Sequence, residues 1–417
     1  MRTVKIGVFG IYRGGTFYDT IRYNNGEIVA VCDKDENRLA EAREKLGEGL
    51  ATYTNFEDFI NHEGLEAVFL SNYFCEHAPY AVKALEKGIH VLSECASNST
   101  MAEGVALVRA CEKSGAFYMI SENYPFMKFN HEINRIAEGG TLGKILYGEG
   151  EYNHPHDPRD RRYNASLRPF SKHWRVRLPR SYYVTHALAP LMYFTGATPK
   201  RVTAMACYAP FDQNDPQNYC QIADRAAIIM TQNDDDSVFR VTGCAAFAGH
   251  ENSYRLCGTK GQVENLRESN HILLRYNEWD APEGVPGYNC YLPEWNDPDA
   301  EAIDKIGGHH GGDFLVMREF LNCVRENKKP KMDVYFATAM ASVGILAHRS
   351  ILNGNVPYDI PDFRLEEDRV KYENDNLTPF WGSDGSDPTL PSCSRPEGEP
   401  LPEKLLEYDE YAKEMLK

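Results

Sequence analysis

The chain has 417 residues, of which 42% are hydrophobic and 25% charged, and its net charge is −16 at pH 7. This length suits two domains and a tail rather than one small core, and the acidic balance argues against nucleic acid or an anionic membrane as a partner. No apolar run approaches the roughly 20 residues of a membrane span, and no signal-peptide pattern stands at the N-terminus. The 11 cysteines are scattered and fit reduced, mostly buried thiols. We therefore expect a cytoplasmic protein.

The chain begins with a strand, a turn, a helix, a second strand and an acid. Val4–Phe9 is a short apolar run, Gly10–Gly15 is a glycine-bearing turn, and Glu27–Cys32 is a second apolar run that Asp33 follows. This order is typical of a dinucleotide-binding βαβ unit, in which N–H groups at the helix start hold the pyrophosphate and the acid binds the ribose. It predicts a nicotinamide cofactor, and an acid at position 33 favours NAD over NADP.

The glycine fingerprint of this turn is incomplete. Gly10 and Gly15 match the first and third glycines of G-x-G-x-x-G, but Tyr12 takes the middle position. Because the middle glycine lets the backbone approach the pyrophosphate closely, either Tyr12 points away or the phosphates sit differently. We assign Gly10, Tyr12, Arg13, Gly15 and Asp33 to the cofactor site; the alternative is a merely structural turn.

The rest of the chain divides into three parts. Strand and helix patterns alternate through residues 1–123, which predicts an α/β Rossmann dinucleotide-binding domain with a parallel sheet. Residues 124–370 carry strand-like runs with few helices between them, which predicts an α+β domain with a largely antiparallel, open-faced sheet. Residues 371–417, rich in Pro, Gly, Ser and Asp before their end, are predicted as an extended arm followed by a short amphipathic helix.

Two segments of the first domain resemble the Gfo/Idh/MocA oxidoreductase family, and the resemblance extends over roughly residues 3 to 365. Gly88–Ala96 resembles the family's GKHVLCEKP strand and turn, and Asn72-Tyr73, followed by His77, occupies the place of its Thr-Pro and following His. The resemblance implies the fold and the use of NAD, with these turns lining the nicotinamide and its ribose. It adds four residues to the candidate cofactor site: Asn72, His77, Glu94 and Asn123.

Cys95 departs from the family pattern. Family dehydrogenases place a lysine after the glutamate of this segment, as a proton carrier beside the alcohol that is oxidised; Cys95 stands in that position here. A thiol can in principle transfer a proton, but we favour a small neutral filler. The base for hydride transfer must then come from elsewhere in the chain.

Tyr183 and His186 supply that candidate base. Positions i and i+3 share a helix face, so the phenol and the imidazole could converge on one hydroxyl; alternatively, both pack in a domain interface. Tyr183–Pro190 resembles the YPTHGLGP segment of glycoside hydrolase family 109, a branch of the same superfamily that also lacks the lysine, and His310–Asp313 and Pro361–Phe363 agree with that branch. The resemblance implies that His186 is catalytic and that Tyr183 assists it.

In that branch NAD is a catalyst and not a consumed oxidant. The resemblance implies that hydride leaves C3 of a sugar, that the acidified C2 proton is removed, that the C1 substituent is expelled, and that water and the hydride then add back. The branch uses a second tyrosine in an ENxxY segment. Here Glu122–Phe126 places Phe126 at that position, and Tyr124 is the candidate substitute.

Further polar residues are candidates for the substrate site. His154 and His310 lie in polar loops and could join His186 in a divalent metal site, but we favour hydrogen bonds to sugar hydroxyls over a metal or a plain loop, and predict no metal. Trp174 could stack on a sugar face and Arg175 could bind hydroxyls or a carboxylate; an interface role is the alternative. The basic run Arg159–Arg162 is interpreted as a surface loop; the alternative is that it indicates an acidic sugar substrate.

The sequence therefore predicts an NAD-dependent glycoside hydrolase that acts by transient oxidation at C3. One alternative is an NAD-dependent sugar or polyol dehydrogenase, and another is a non-catalytic NAD-binding sensor. Family behaviour implies a homo-oligomer, a dimer or tetramer, formed through the open face of the second sheet. A small carbohydrate is the expected ligand.

Overall fold

The computed structural model describes residues 1–247 and 249–417. The strands of the first part are β1 (Val4–Phe9), β2 (Gly26–Cys32), β3 (Ala51–Tyr53), β4 (Ala67–Leu70), β5 (His90–Ser93) and β6 (Tyr118–Ile120). Its helices are α1 (Ile11–Gly14), α2 (Tyr18–Tyr23), α3 (Glu36–Leu46), α4 (Phe56–Phe59), α5 (His77–Glu86) and α6 (Met101–Lys113). The strands of the second part are β7 (Ile145–Asn153), β8 (Pro199–Tyr208), β9 (Asp224–Asn233), β10 (Val238–Thr242), β11 (Glu251–Gly258), β12 (Gly261–Asn265), β13 (Ile272–Tyr276), β14 (Tyr288–Tyr291) and β15 (Tyr358–Asp359). Its helices are α7 (Lys128–Glu138), α8 (Arg161–Leu167), α9 (Thr185–Thr195), α10 (Ala300–Ile306), α11 (Gly312–Glu326), α12 (Val334–Leu352), α13 (Glu366–Arg369) and α14 (Pro402–Met415).

The first sheet is parallel throughout, with strand order β3-β2-β1-β4-β5-β6. The strands β1, β4, β5 and β6 are short and nearly continuous in buried residues, as expected when helices cover both faces. The order reverses between β1 and β4, and in such sheets the ligand binds outside the carboxyl ends of the strands at that point. The predicted Rossmann domain is confirmed.

The second sheet is mostly antiparallel, with strand order β14-β13-β12-β11-β7-β10-β9-β8-β15; β10 and β7 form its parallel pair. Helix α9 packs directly on β7, where a Cβ at Gly150 would lie 2.0 Å from the Ala187 carbonyl oxygen. Glycine is therefore required there for the close approach of helix and strand. Met205, with 63% of its surface exposed, and Arg240 lie exposed on strands of the same sheet. The predicted α+β domain is confirmed.

Helices α11 and α12 join the two sheets in one core. Tyr23 on α2 packs against Phe314 on α11, with ring centroids 5.3 Å apart. Ser97, after β5, donates its hydroxyl to the Ala337 carbonyl of α12 at 3.1 Å. The predicted boundary near residue 123 separates the sheets, but these helices come from the second part and pack on the first.

The C-terminal segment, predicted as an extended arm, lies against the same chain. Residues 371–401 are mostly irregular, and Asp375 accepts two hydrogen bonds from the Arg349 guanidinium at 2.6 and 2.7 Å. The predicted helix is present as α14, and the Tyr408 hydroxyl of α14 donates to the Arg168 carbonyl at 2.7 Å. This segment therefore supports the loop that follows α8. Across the described ranges, every helix is too short or too polar to traverse a bilayer.

Candidate active site

The turn after β1 requires glycine at two positions. Gly10 has φ +90°, and a Cβ on it would lie 2.5 Å from the Ser71 carbonyl oxygen. Gly14 packs on β1, where a Cβ would lie 2.4 Å from Val8 Cγ1. Gly15, the predicted third glycine of the fingerprint, is right-handed helical, and a Cβ on it would lie 3.8 Å from its nearest neighbours, Ile11 and Tyr18. The role of close helix–strand packing therefore falls to Gly14.

Gly10→Ala is expected to weaken NAD binding by at least about 10-fold and to lower the free energy of unfolding by roughly 1–3 kcal/mol, because the new Cβ meets fixed backbone in a left-handed conformation. Gly15→Ala is the matched control. It adds the same atom to a helical position where the new Cβ makes only ordinary van der Waals contact, so its free energy of unfolding should be unchanged or higher by about 0.5 kcal/mol. Calorimetric NAD titration and urea unfolding measure both; equal losses in the two variants would contradict the assignment.

The residues around this turn fit NAD. Asp33 accepts the Ile11 N–H through Oδ2 at 2.8 Å, which places the acid at the start of α1. The N–H groups of Tyr12 and Arg13, in the first turn of α1, have no carbonyl acceptor within their own helix. Tyr12 is 71% exposed, with the Arg38 guanidinium 4.9 Å from its ring centre. Its side chain thus points away from the turn, one of the two arrangements expected from the sequence, and leaves backbone N–H groups for the pyrophosphate.

His77 ties together two loops at the carboxyl end of the first sheet. Its Nδ1 lies 2.8 Å from the Ala96 carbonyl oxygen, and its Nε2 lies 3.3 Å from the Asn72 carbonyl oxygen. Burial lowers the pKa of His77, so the imidazole is neutral at pH 7. Both ring nitrogens face backbone, which indicates that His77 positions the Asn72 turn.

Three of the predicted cofactor residues meet where the two parts of the chain join. Arg13 donates Nε to Glu94 at 2.8 Å and Nη2 to Asp313 at 3.0 Å, and Asn123 donates its amide to Asp313 at 2.5 Å. His309 Nδ1 is 3.0 Å from the same carboxylate. Burial opposes ionisation, but His309 and Arg13 hold the pKa of Asp313 well below its usual range. An ionised Asp313 on α11 therefore anchors the cofactor turn to the second part of the chain.

His186 is held by a buried carboxylate. Its Nδ1 lies 2.8 and 3.0 Å from the two oxygens of Glu122, whose side chain is fully buried. Burial opposes ionisation of Glu122, but the adjacent His186 and several hydrogen bonds lower the pKa of the carboxyl. An ionised Glu122 accepts a hydrogen bond from the Nδ1–H of His186. This leaves Nε2 of His186 as the ring nitrogen that can take up a proton.

Cys95 is the second donor to that carboxylate, with Sγ 2.9 Å from Glu122 Oε2. Burial and the neighbouring carboxylates raise the pKa of the Cys95 thiol well above its usual value. The thiol is therefore neutral at pH 7, in agreement with the filler interpretation. Cys95, Glu122 and His186 place their ligand atoms within 4.8 Å of one another, a spacing that could hold a metal ion. Hydrogen bonds account for the short distances, so we interpret the cluster as a supported base.

Three tyrosine rings surround His186. Tyr124 stacks on the imidazole, with ring centroids 4.0 Å apart and an interplanar angle of 10°. Tyr183 and Tyr152 meet the imidazole edge-on, with centroid distances of 4.9 and 4.7 Å. Tyr183 ends a 3-10 helix and His186 lies in the first turn of α9, so the continuous helix assumed from the sequence is not present, yet the rings still meet. Burial raises the pKa of the Tyr183 and Tyr124 phenols, which keeps them as proton donors.

These groups face a cavity of about 1200 Å³ between the two parts of the chain. Residues of the NAD-binding domain and of the second domain both line it, and among the predicted residues these include Tyr12, Arg13, Glu94, Asn123, Tyr124, His154, Arg175, Tyr183, His186 and His310. Trp174 instead stacks on Phe74 at 5.1 Å and 13°, with the Arg175 guanidinium 4.3 Å from its ring centre. Trp174 therefore packs between the two parts, and Arg175 reaches the cavity beside it.

Sequence reasoning assigned no role to Glu122, Tyr152 or Asp313. Glu122 stands two residues before Tyr124 in the quoted segment, and Asp313 ends the glycine–histidine segment. Their positions were visible, but their function depends on contacts with residues far away in sequence. An acid two residues after a strand of a nucleotide-binding sheet is the signal that could have found Glu122.

Comparison with known proteins agrees with this geometry. Residues 4–122 match the family model of the oxidoreductase family with the NAD-binding Rossmann fold, and residues 212–367 match the C-terminal domain of glycosyl hydrolase 109. A glycosyl hydrolase family 109 protein of Shewanella pealeana is 25% identical, over 87% of this chain and 86% of its own. An alpha-N-acetylgalactosaminidase of Shewanella oneidensis is 23% identical, over 87% of this chain and 85% of its own length.

Among solved structures, an NAD-binding oxidoreductase of Klebsiella pneumoniae superposes with a TM-score of 0.70 at 14% identity, over 86% of this chain and 99% of its own. This likeness concerns the fold. The family models, by contrast, match both parts of the chain that line the cavity. The protein is an NAD-dependent enzyme of the Gfo/Idh/MocA oxidoreductase family, in the branch that resembles glycosyl hydrolase family 109.

Proposed function

We propose that this enzyme hydrolyses a glycosidic bond by transient oxidation at C3, elimination, addition of water and re-reduction. The observation that carries the proposal is the His186–Glu122 pair, 2.8 Å apart, in a cavity that the NAD-binding domain also lines. The family relationship supports it, as does the 23% identity to a relative named alpha-N-acetylgalactosaminidase. When bound, NAD supplies the acceptor and donor of hydride at C3, and the protein supplies the proton chemistry.

His186 takes the proton of the sugar 3-OH on Nε2. As the imidazolium forms, the ionised Glu122 at Nδ1 stabilises its charge, and burial of the carboxylate strengthens that interaction. Tyr183, with its ring 4.9 Å from the imidazole, donates a hydrogen bond to the same oxygen. A supported histidine thereby replaces the lysine that family dehydrogenases use.

Tyr124 is proposed as the second acid–base group, for the C2 proton or the leaving group. Its ring lies parallel to His186 and 5.6 Å from Tyr152. Burial is the main cause that raises the pKa of Tyr124, and the adjacent Tyr183 and Glu122 add to it. A phenol with a raised pKa stays protonated at pH 7, which suits a proton donor to the leaving group. His154 and His310 are proposed to bind sugar hydroxyls.

We also propose that the enzyme is a cytoplasmic homo-oligomer, a dimer or tetramer, and that residues 1–123, 124–370 and 371–417 are its three parts. Exposed residues on the second sheet, such as Met205 and Met230, support association through that face. Light scattering of the purified protein measures the oligomeric state, and a monomer at micromolar concentration would contradict it.

Heavy-water turnover tests the reaction. The purified protein is incubated with NAD and nitrophenyl glycosides of both anomers, and aglycone, NADH and deuterium in the product are measured. We expect aglycone release without net NADH, and deuterium at C2 of the released sugar, because the C2 proton exchanges with solvent during elimination.

The other outcomes are equally clear. Stoichiometric NADH without aglycone would identify a sugar or polyol dehydrogenase instead. NAD binding without either product would identify a sensor. Aglycone release with no deuterium at C2 would exclude the elimination route.

A further inference from the structure

One wall of the cavity is strongly cationic. Four arginines of the second part of the chain line it: Arg168, Arg175, Arg180 and Arg225. They come from separate segments, the loop after α8, the two short 3-10 helices before α9, and strand β9. Among the described residues that line the cavity, Glu94 is the one carboxylate, and Arg13 already occupies it at 2.8 Å. In a protein of net charge −16, this concentration of positive charge is not a consequence of composition.

The arginines of this wall, Arg168, Arg175, Arg180 and Arg225, lack acidic partners. Within residues 1–247 and 249–417, none of them lies at salt-bridge distance from a carboxylate. Arg180 and Arg225 each donate Nε to a backbone carbonyl, at 3.1 and 3.0 Å. The Nε of Arg168 is buried and has no hydrogen-bond partner among the described residues. In Arg180 and Arg225, the terminal nitrogens that would bind an oxyanion are thus oriented by a backbone contact at Nε.

The wall is electrostatically costly as it stands. Burial and the neighbouring Arg180 lower the pKa of Arg225 to about 10. Burial, His154 and nearby arginines lower the pKa of His156 to about 4. Buried like charges without counterions destabilise the folded chain, and the cost is relieved when an anion binds among them. A guanidinium fork matches carboxylate and sulfate oxygens in pairs.

The wall continues from the proposed catalytic group. Tyr152 meets the His186 ring edge-on. The ring centroids of Tyr152 and His154 are 5.7 Å apart, and those of His154 and His156 are 4.8 Å apart. Arg175 acts electrostatically on both His154 and His156. The base and the arginines therefore line one cavity, and a row of aromatic rings leads from His186 to His156 along its wall.

We infer that the enzyme takes an anionic saccharide, with a carboxylate or sulfate on the sugar or its neighbour bound by Arg168, Arg180 and Arg225. This inference rests on the proposed glycoside cleavage for the identity of the bound group as a sugar. It departs from the neutral N-acetylgalactosaminide that one relative's name specifies.

Binding, measured apart from catalysis, tests the anion site. Calorimetry of the NAD-loaded enzyme uses glucuronate, galacturonate and N-acetylgalactosamine 6-sulfate against their neutral counterparts, with inorganic sulfate as a further probe. We expect at least one anionic sugar to bind more than 10-fold tighter than its neutral counterpart, and more weakly as salt rises. Arg180→Gln and Arg225→Gln should each reduce that affinity roughly 10–100-fold. Arg240→Gln, which removes an exposed arginine of the second sheet outside the cavity, is the matched control and should not change it.

Two separate variants keep the test decisive if one of them fails to fold, which circular dichroism and NAD affinity report. No preference for any anionic sugar over its neutral counterpart would overturn the inference. So would inorganic sulfate that binds as tightly as the best anionic sugar, since the sugar would then contribute nothing.

Turnover of nitrophenyl glucuronides against nitrophenyl glucosides separates this inference from the proposed function. Cleavage of the glucuronide and not of the glucoside supports both the anion site and the hydrolase. Equal cleavage of the two, with no anion preference in binding, overturns the inference and leaves the hydrolase. Arginine-dependent binding of anionic sugars without any cleavage supports the anion site and removes the hydrolase.

Discussion

His186→Ala is expected to lower kcat by roughly 10²–10⁴-fold, the range for loss of a general base, with little change in NAD affinity. The side chain carries the proposed proton transfer, whereas the cofactor turn lies on β1 and α1. The backbone at this position has independent support, because the Tyr254 hydroxyl donates to the His186 carbonyl at 2.6 Å. Steady-state aglycone release and NAD titration measure the two effects.

His186→Gln is the second variant, since alanine leaves Glu122 without its main partner and lowers stability. Glutamine retains a polar group beside the carboxylate but cannot act as a base. His271→Gln, on the loop before β13 and outside the cavity lining, is the matched control and should keep full activity. Unchanged turnover in both His186 variants would refute the assigned role.

Glu122→Gln is expected to lower kcat by roughly 10²–10⁴-fold, although glutamine has nearly the same shape as the glutamate it replaces. An amide can donate to Nδ1, which moves the imidazole proton to Nε2 and leaves the wrong nitrogen towards the substrate. Substrate binding should change less than kcat, because Glu122 is fully buried and acts through His186. Glu264→Gln on β12 is the control. Full activity in Glu122→Gln would show that His186 needs no carboxylate.

The same variant carries a pH signature. The folded state lowers the pKa of Glu122 below the ordinary glutamate value of 4.5, so the ionised carboxylate stabilises the native protein above that value. This contribution is lost as pH falls through the lower folded pKa. The difference in free energy of unfolding between wild type and Glu122→Gln should therefore be full at pH 7 and shrink below pH 4.5. Urea unfolding at a series of pH values measures it; a constant difference would contradict the pKa direction.

Several local features were predictable because they depend on neighbours in sequence. Helix α12 (Val334–Leu352) is one of them, since a largely apolar run with Asp333 as its N-cap specifies a buried helix locally. The Gly10 turn and Asp33 were likewise visible, because a βαβ unit places a phosphate-binding turn and a ribose-binding acid at a regular separation.

Other assignments required contacts that no local pattern contains. Gly14 and Gly15 are adjacent in sequence. Gly14 has no room for a Cβ because the side chains of Val8 on β1 and of Ser71 lie against it. The sequence left two roles open for Trp174, stacking on a sugar or packing in an interface, and Phe74 from the first part of the chain stacks on its ring. Ser71 and Phe74 are both far away in sequence from the residues that they contact, so residue type alone could not distinguish these roles.

The order of residues established the cofactor class and the family, because helix starts, strand ends and short motifs act over a few residues. The chemistry of the pocket came from folding. His186 becomes a base because Glu122, which follows the last strand of the first sheet, lies beside it, and four arginines become one cationic wall because separate segments meet around a single cavity. Electrostatic interaction depends on distance in space and on burial, and neither quantity can be read along a linear chain.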